Sequence, residues 1–299
     1  FRIKAMSRKI LITGASGFVG RYILNYYKKT KCEAIGTTSG ADSENLIVCD
    51  IADYRQVSDV IFRTMPDTII HCAALSSVML GEPSDYYITN VIGTENILRS
   101  LKSSVNKKVR FIFISTAGVY GNLPVDCLHE NLCPMPVHHY GMSKFCAERV
   151  VMNFEDVVDY TIVRPFNIIG KGQHSEFIVP KLANAFMSRQ EYVELGNIDV
   201  YRDYMDVESA CEAITKLEMA KISFGETVNL CTGRATSLRQ LIEEFEKISG
   251  HSMEIRTNNK FVRNNEVWKL IGSADKLNKL LGGQIRSTDV GAVLRDMLN

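Results

Sequence analysis

Tyr140 and Lys144, in "YGMSK", stand four residues apart, the spacing that puts two side chains on one face of a helix. An ammonium beside a phenol favours the phenolate and lowers the tyrosine pKa, which suits Tyr140 to proton transfer near neutral pH. Upstream, "FIFISTAGVYG" closes an apolar run with Ser115 and Thr116. A hydroxyl there can hydrogen-bond an oxygen that gains or loses a proton, or it can simply cap the strand end. A third feature is "ILITGASGFVGRYIL", which sets Gly14, Gly17 and Gly20 between two apolar runs. Three glycines where a strand hands over to a helix predict a tight turn whose backbone N–H groups face a pyrophosphate, with the ligand touching the backbone. Together the turn, the hydroxyl and the Tyr/Lys pair describe hydride transfer between a nicotinamide and a carbinol or ketone, the protein supplying the proton.

Such groups need a sheet edge to hold them. From Lys9 to Arg164 the runs "KILIT", "CEAIGTT", "LIVCD", "DTIIHCAA", "RFIFIST" and "YTIVRP" read as strands, nearly continuous in Val, Ile and Phe, as expected of strands covered on both faces. Helical patterns such as "YRQVSDVIFRT" and "NVIGTENILRSLK" separate them. That alternation predicts an α/β fold, a Rossmann-type doubly wound parallel sheet with ligands at the carboxyl ends of its strands. After Pro165 the rhythm loosens, and a smaller lobe is expected. Residues 1–165 are read as the dinucleotide-binding domain with the catalytic residues, and 166–299 mainly as the substrate lobe, with interleaved boundaries.

The end of the second strand bears on cofactor choice. An enzyme selecting NAD commonly carries an acidic residue there, whereas this chain has Thr37, Thr38 and Ser39. Small hydroxyls leave room for a 2′-phosphate, so NADP(H) is favoured and NAD(H) stays open. Asp50-Ile51, ending the third strand, suits the adenine edge, or Asp50 caps the following helix.

Composition excludes other classes. The chain has 299 residues, 45% of them hydrophobic, and a formal net charge of +1. This gives no large basic field for nucleic acid, and no apolar run approaches the roughly 20 residues that cross a bilayer. Met6 is a natural initiator, which would leave residues 1–5 as an extension, and "FRIKAM" lacks an apolar signal region. A cytoplasmic location is expected. The 8 cysteines form no CxxC pair and have no histidine partners at zinc spacing, so buried free thiols and no metal are expected. Cys127 and Cys133 share a loop and could meet only in an oxidising compartment.

At this point the chain resembles the extended short-chain dehydrogenase/reductases, the branch acting on nucleotide sugars, from about Lys9 to the C-terminus. "TGASGFVG", "HCAALSSV", "TNVIGTENIL", "STAGVYG", "YGMSK" and "RPFNIIGKGQ" carry the resemblance in order. It implies Tyr140 as general acid/base, Lys144 as its electrostatic partner and ribose ligand, and Thr116 as donor to the substrate oxygen. Cofactor contacts are implied at Gly14, Ser16, Gly17, Phe18, Val19, Gly20, Thr37, Ser39, Asp50, Ile51, Ala73 and Ala74, besides Tyr140 and Lys144. Asn90 is implied in a water relay near Lys144.

Three reactions share this framework: 4,6-dehydration, epimerisation with a retained cofactor, and reduction of a 4-ketone. Family dehydratases carry a glutamate two residues after the catalytic threonine, where this chain has Gly118. "RPFNIIGKGQ", "LGNIDVYRDYMDV" and "VRNNEVWKLIGSADKL" are similar to the GDP-4-keto-6-deoxy-D-mannose reductases. That likeness implies Ser76, Asn167 and Lys181 at the sugar nucleotide, Arg202 and Arg263 on the diphosphate, and Glu266 on the sugar hydroxyls. Those reductases tend to carry Glu at Gly118 and Pro at Asn264, and CDP-linked deoxysugars remain open. The expected activity is NADPH-dependent reduction of a nucleotide-linked 4-keto-6-deoxyhexose. The alternatives are a UDP-sugar 4-epimerase with tightly held NAD, a dehydratase, and an inactive cofactor-binding protein. Relatives pair helices around the Tyr/Lys segment, so a homodimer is implied.

Overall fold

The computed structural model describes residues 7–40, 45–76, 82–258, 261, 267–286 and 288–299. Its first part alternates strands β1 (Lys9–Thr13), β2 (Glu33–Thr38), β3 (Ile47–Val48), β4 (Thr68–His71), β5 (Val109–Ile114) and β6 (Val158–Pro165) with helices α1 (Phe18–Lys28), α2 (Tyr54–Thr64), α3 (Pro83–Tyr87), α4 (Gly93–Ser104) and α5 (His139–Met152). Successive side chains of a strand point to opposite faces, and the core divides accordingly. Ile10, Ile12, Ile70 and Ile112 join one apolar layer with Ile23 and Leu24 of α1, while Leu11, Ile69, Phe111 and Phe113 join another with Val57 of α2 and Leu98 of α4.

Beyond Pro165 lie β7 (Asn167–Ile169), α6 (Ile178–Met187), β8 (Tyr192–Leu195), β9 (Tyr201–Arg202), β10 (Tyr204–Asp206), α7 (Val207–Met219) and β11 (Glu226–Leu230). The chain ends with β12 (Thr236–Ser237), α8 (Leu238–Ser249), β13 (Glu254–Thr257), β14 (Lys269–Leu270), α9 (Asp275–Leu281) and α10 (Val290–Met297). The main sheet has seven parallel strands in the order β11-β6-β5-β4-β1-β2-β3. Its seventh strand therefore comes from the second half of the chain, and α7 packs Ala210, Ile214 and Leu217 into the layer with α1. The smaller lobe is held by a separate core of α6, α8 and α10, centred on stacked Phe186 and Phe245 rings 5.2 Å apart.

Two expectations change. "LIVCD" yields only a two-residue edge strand, with Ile47 38% and Val48 53% exposed, so it is not covered on both faces. All eight thiols are free, but only Cys49, Cys211 and Cys231 are buried, and Cys133 and Cys146 are exposed. Among the described residues no helix is long and apolar enough to cross a membrane.

Candidate active site

The glycine turn divides its work. Gly14 has φ +65, where a side chain is strained, and a Cβ there would lie 2.7 Å from the Ala73 backbone. A Cβ on Gly20 would lie 2.2 Å from the Gly14 carbonyl oxygen. The chain's own packing thus demands both glycines, before any ligand is considered. A Cβ on Gly17 would meet only the Gly14 oxygen, at 3.2 Å. Gly17 is the N-cap of α1, with no side-chain cap and no acid in the first turn, so the N–H groups at that end are left for an anion. This cradle, which a side chain at Gly17 would fill, fits the pyrophosphate of a dinucleotide. Phe18 and Val19 contribute backbone there, because their side chains pack on the α1/α7 layer.

At the end of β2, Thr37 and Thr38 are buried and Ser39 is exposed. Thr37 is 2% exposed, and its carbonyl accepts the Ala15 N–H at 2.8 Å. Thr38 Oγ1 lies 2.8 Å from Ser16 Oγ and accepts the Gly40 N–H, which leaves Ser16 and Ser39 as the exposed hydroxyls of this edge. Asp50 is exposed and accepts the Ala52 N–H at 2.9 Å, while Asp53 caps α2. Ile51 is buried against Gly93, where a Cβ would meet its side chain at 2.7 Å. Ala73 and Ala74 are half-buried beside the turn, and Ser76 is exposed.

Thr116 stands just beyond the end of β5, after Ser115, and caps the short 3₁₀ turn Ala117–Tyr120, its Oγ1 accepting the Gly118 N–H at 3.0 Å. Gly141 lets α5 press against that turn, since a Cβ there would lie 2.7 Å from the Gly118 oxygen. Tyr140, in the first turn of α5, thereby brings its hydroxyl to the Thr116 side chain. Ser115 does not join them: it is buried and donates to Glu148 Oε1 at 2.5 Å.

The electrostatics reverse an expectation. Enclosure of the Tyr140 hydroxyl pushes its pKa up to about 12, and the Thr116 hydrogen bond only partly offsets this. Lys144 is buried with Nζ 4.1 Å from the centre of the Phe113 ring, and burial lowers its pKa to about 7 against the opposing pull of Glu148 and Cys72. Desolvation outweighs the Thr116 hydrogen bond, so Tyr140 stands as a protonated phenol.

Behind the trio runs a hydrogen-bond chain that the sequence did not disclose. The Ala73 N–H donates to Thr13 Oγ1 at 3.2 Å, and Thr13 Oγ1 lies 2.6 Å from His71 Nδ1. On the far side His71 Nε2 lies 3.0 Å from Thr94 Oγ1, which donates to the Asn90 carbonyl at 2.6 Å. Thr94 must therefore accept from Nε2–H, and Nδ1 accepts from Thr13. Burial holds His71 neutral, its pKa lowered to about 3. Asn90, in the π-helical turn Ile88–Ile92, bonds both the N–H and the carbonyl of Leu75 and donates to Ser143 Oγ at 2.9 Å. Ser143 donates to the Tyr140 carbonyl at 2.9 Å. Asn90 thus fastens the segment after β4 to the first turn of α5. Apart from Asn90, which the resemblance implies near Lys144, the trace in sequence is an excess of polar residues inside apolar runs.

On the substrate side, Asn167 opens β7, with its N–H and Nδ2 on the Asp203 carbonyl at 3.0 and 3.4 Å. The Asp203 carboxylate is buried and accepts Thr232 N–H and O–H and Gly233 N–H within 2.8 Å, which fixes the link between β9, carrying Arg202, and β10, the partner of β7. Arg202 Nη1 donates to the Tyr201 carbonyl at 2.9 Å. Lys181 donates to the Glu194 carbonyl at 2.8 Å and stands 4.4 Å from the centre of the Phe261 ring. Arg263 and Glu266 lie outside the described residues.

The model of the NAD dependent epimerase/dehydratase family matches residues 10–231. A GDP-6-deoxy-D-talose 4-dehydrogenase from Aggregatibacter actinomycetemcomitans is 40% identical over 97% of this chain and 96% of its own. A GDP-6-deoxy-D-mannose reductase from Pseudomonas aeruginosa is 29% identical over 93% of this chain and 92% of its own. Among solved structures, RMD from Pseudomonas aeruginosa complexed with NADPH shares 28% identity and a TM-score of 0.84, over 98% of this chain and 97% of that one. With the glycine cradle and the Thr116/Tyr140/Lys144 set standing at the carboxyl edge of one parallel sheet, the chain belongs to the NAD dependent epimerase/dehydratase family, extended short-chain dehydrogenase/reductases that modify nucleotide sugars.

Proposed function

We propose that this chain is an NADPH-dependent reductase of a GDP-linked 4-keto-6-deoxyhexose. The observation that carries the reading is the Thr116–Tyr140 pair, a hydroxyl and a phenol set together beyond the carboxyl end of β5 with Lys144 one helical turn further along α5. The names of two relatives support the substrate class. 6-Deoxy-D-talose and 6-deoxy-D-mannose differ only at carbon 4, so one 4-ketone gives either sugar according to the face reduced. Identity of 40% to the first against 29% to the second favours the talo product. Uncharged Ser39 after β2 and Ser16 in the glycine turn beside it, and the NADPH in the Pseudomonas aeruginosa structure, support the phosphorylated cofactor.

Gly14 to Gly20, Ser16, Ser39, Ala73 and Lys144 would hold the dinucleotide, which when bound supplies the hydride for carbon 4. Thr116 donates to the keto oxygen and polarises it. Tyr140 releases its phenolic proton to that oxygen as negative charge develops, and the Lys144 ammonium stabilises the phenolate left behind. Arg202, with Asn167 and Lys181, would receive the nucleotide diphosphate, a task for which the guanidinium fork is suited.

The test is loss of absorbance at the reduced-nicotinamide band with GDP-4-keto-6-deoxy-D-mannose and NADPH or NADH, followed by proton NMR of the product. Tyr140→Phe should bind cofactor and lose turnover by about 10²-fold or more. Near-normal turnover in a folded Tyr140→Phe protein sinks the mechanism. A protein that purifies with NAD bound, consumes no reduced cofactor and interconverts UDP-sugars is instead a 4-epimerase.

A further inference from the structure

Glu148 lies one helical turn beyond Lys144 on α5 and is fully buried. Its Oε1 accepts the Ser115 hydroxyl at 2.5 Å and Arg164 Nε at 2.9 Å, and its Oε2 accepts Arg164 Nη2 at 2.6 Å. Arg164 continues through Nη1 to the Tyr120 hydroxyl at 3.0 Å, and Tyr120 donates to Asn229 Oδ1 at 2.7 Å. One carboxylate therefore ties together α5, the end of β5 where Ser115 precedes Thr116, and β6.

We propose that Glu148 is a positioning residue for proton transfer: it clamps the strand end bearing Thr116 to the helix bearing Tyr140 and Lys144, and its charge holds the Lys144 ammonium in the site. The proposal rests on the roles given above to Thr116, Tyr140 and Lys144. Stability alone does not account for the pair, since a buried ion pair seldom outperforms apolar residues of the same volume. Its location does account for it. The elements around Lys144 bring Tyr140 and Glu148 from its own helix, His71 and Cys72 from the end of β4, and the Phe113 ring from β5. Burial keeps His71, Cys72 and Tyr140 neutral near pH 7. Arg164, from β6, is engaged with Glu148 itself. Glu148 is thus the carboxylate whose charge bears on Lys144.

Two substitutions separate charge from clamp. Glu148→Gln keeps an acceptor for Ser115 and removes the charge, whereas Ser115→Ala keeps the charge and cuts the tie to β5. The Lys144 midpoint is read by NMR of ¹³Cε-lysine in the full ligand-free chain. In Glu148→Gln it should fall by about one pH unit or more, while Ser115→Ala leaves it in place. Ser115→Ala should lower kcat about tenfold with cofactor Kd unchanged, the effect of a reacting pair held less closely. If Glu148→Gln fails to fold with Arg164 stranded, Ser115→Ala, which leaves the ion pair intact, decides the clamp on its own. An unmoved midpoint in the folded charge variant, or wild-type kcat in Ser115→Ala, overturns the proposal. Should the wild-type chain reduce no nucleotide sugar, the functional reading falls, and the midpoint comparison still decides the role of Glu148.

Discussion

The two ends of the parallel sheet each bury an arginine and a glutamate, and they use them differently. At the amino end, Arg110 of β5 spends its guanidinium on neutral groups: the carbonyls of Asp159, Leu217 and Glu218, and the hydroxyls of Thr161 and Ser223, all within 2.9 Å. Glu218, buried at the end of α7, accepts from Tyr27, Thr68 and Arg8 rather than from Arg110. At the carboxyl end, Glu148 and Arg164 grip each other in a fork and lean on the residue before Thr116. The amino-end cluster locks α7 to three strands, and no catalytic residue touches it. The carboxyl-end cluster stands behind the reacting groups. On the function proposed above, identical residue types serve folding at one end and chemistry at the other, because the helix N-termini that follow the strands open at the carboxyl edge.

Arg110→Met attacks the amino end and should have the largest effect on stability. It strands several acceptors and leaves Glu218 with Arg8 as its remaining cation, a loss of about 3 to 5 kcal/mol. Thermal unfolding should move down by about 10 °C. The folded fraction should keep wild-type kcat and KM. A rate loss in protein shown to be folded would mean that the two ends are coupled through β5, and the division drawn above would fail.

Much of this was legible in the chain and some was not, for physical reasons. Strands such as "KILIT" and "RFIFIST" declare themselves because both faces are covered, and Tyr140/Lys144 because a four-residue spacing is a local signal. The glycine turn was legible in position, but not the demand that the chain's own packing places on it: Gly14 answers to the Ala73 backbone and Gly20 to the Gly14 carbonyl. Glu148, Arg164, Arg110 and Glu218 were invisible, since a charge in a helix or strand reads as a solvated face until its partner, 16 to 210 residues away, is brought beside it. Thr37 looked available because strand ends usually are, yet β3 pairs beside it and the fold leaves it 2% exposed.

At the carboxyl end Lys144→Met should abolish turnover and stabilise the ligand-free chain by several degrees, function having been bought with an unfavourable burial. The sign follows from the lowered pKa of about 7 against the ordinary 10.5. Between those values the unfolded lysine keeps its proton while the folded one has released it, so wild-type stability gains from Lys144 as pH rises. Below about 7 both states are protonated and the full cost of the buried ammonium is present. The Tm advantage of Lys144→Met should thus be greatest near pH 6 and shrink toward pH 10. An advantage independent of pH would assign the effect to packing, and a lower Tm at every pH would show that Glu148 and the Phe113 ring stabilise the ammonium more than burial destabilises it.

The smallest expected effect separates ligand from fold within one turn. Gly17→Ala asks the Gly14 carbonyl to move by a few tenths of an ångström, whereas Gly20→Ala would place Cβ 2.2 Å from the same oxygen. Gly20→Ala should behave like an overpacked core, costing about 1–3 kcal/mol of stability and disturbing the cofactor only through that distortion. Gly17→Ala should unfold close to wild type and weaken NADPH by roughly tenfold, about 1.4 kcal/mol, because the methyl enters the space where the α1 N–H groups meet an anion. Fluorescence titration of the reduced nicotinamide, beside thermal unfolding of the same samples, measures both. Equal cofactor affinity in wild type and Gly17→Ala would move the pyrophosphate off the α1 N-terminus. Since the glycine cradle is what gives the carboxyl edge its ligand, that result would remove the contrast between the two ends of the sheet at its base.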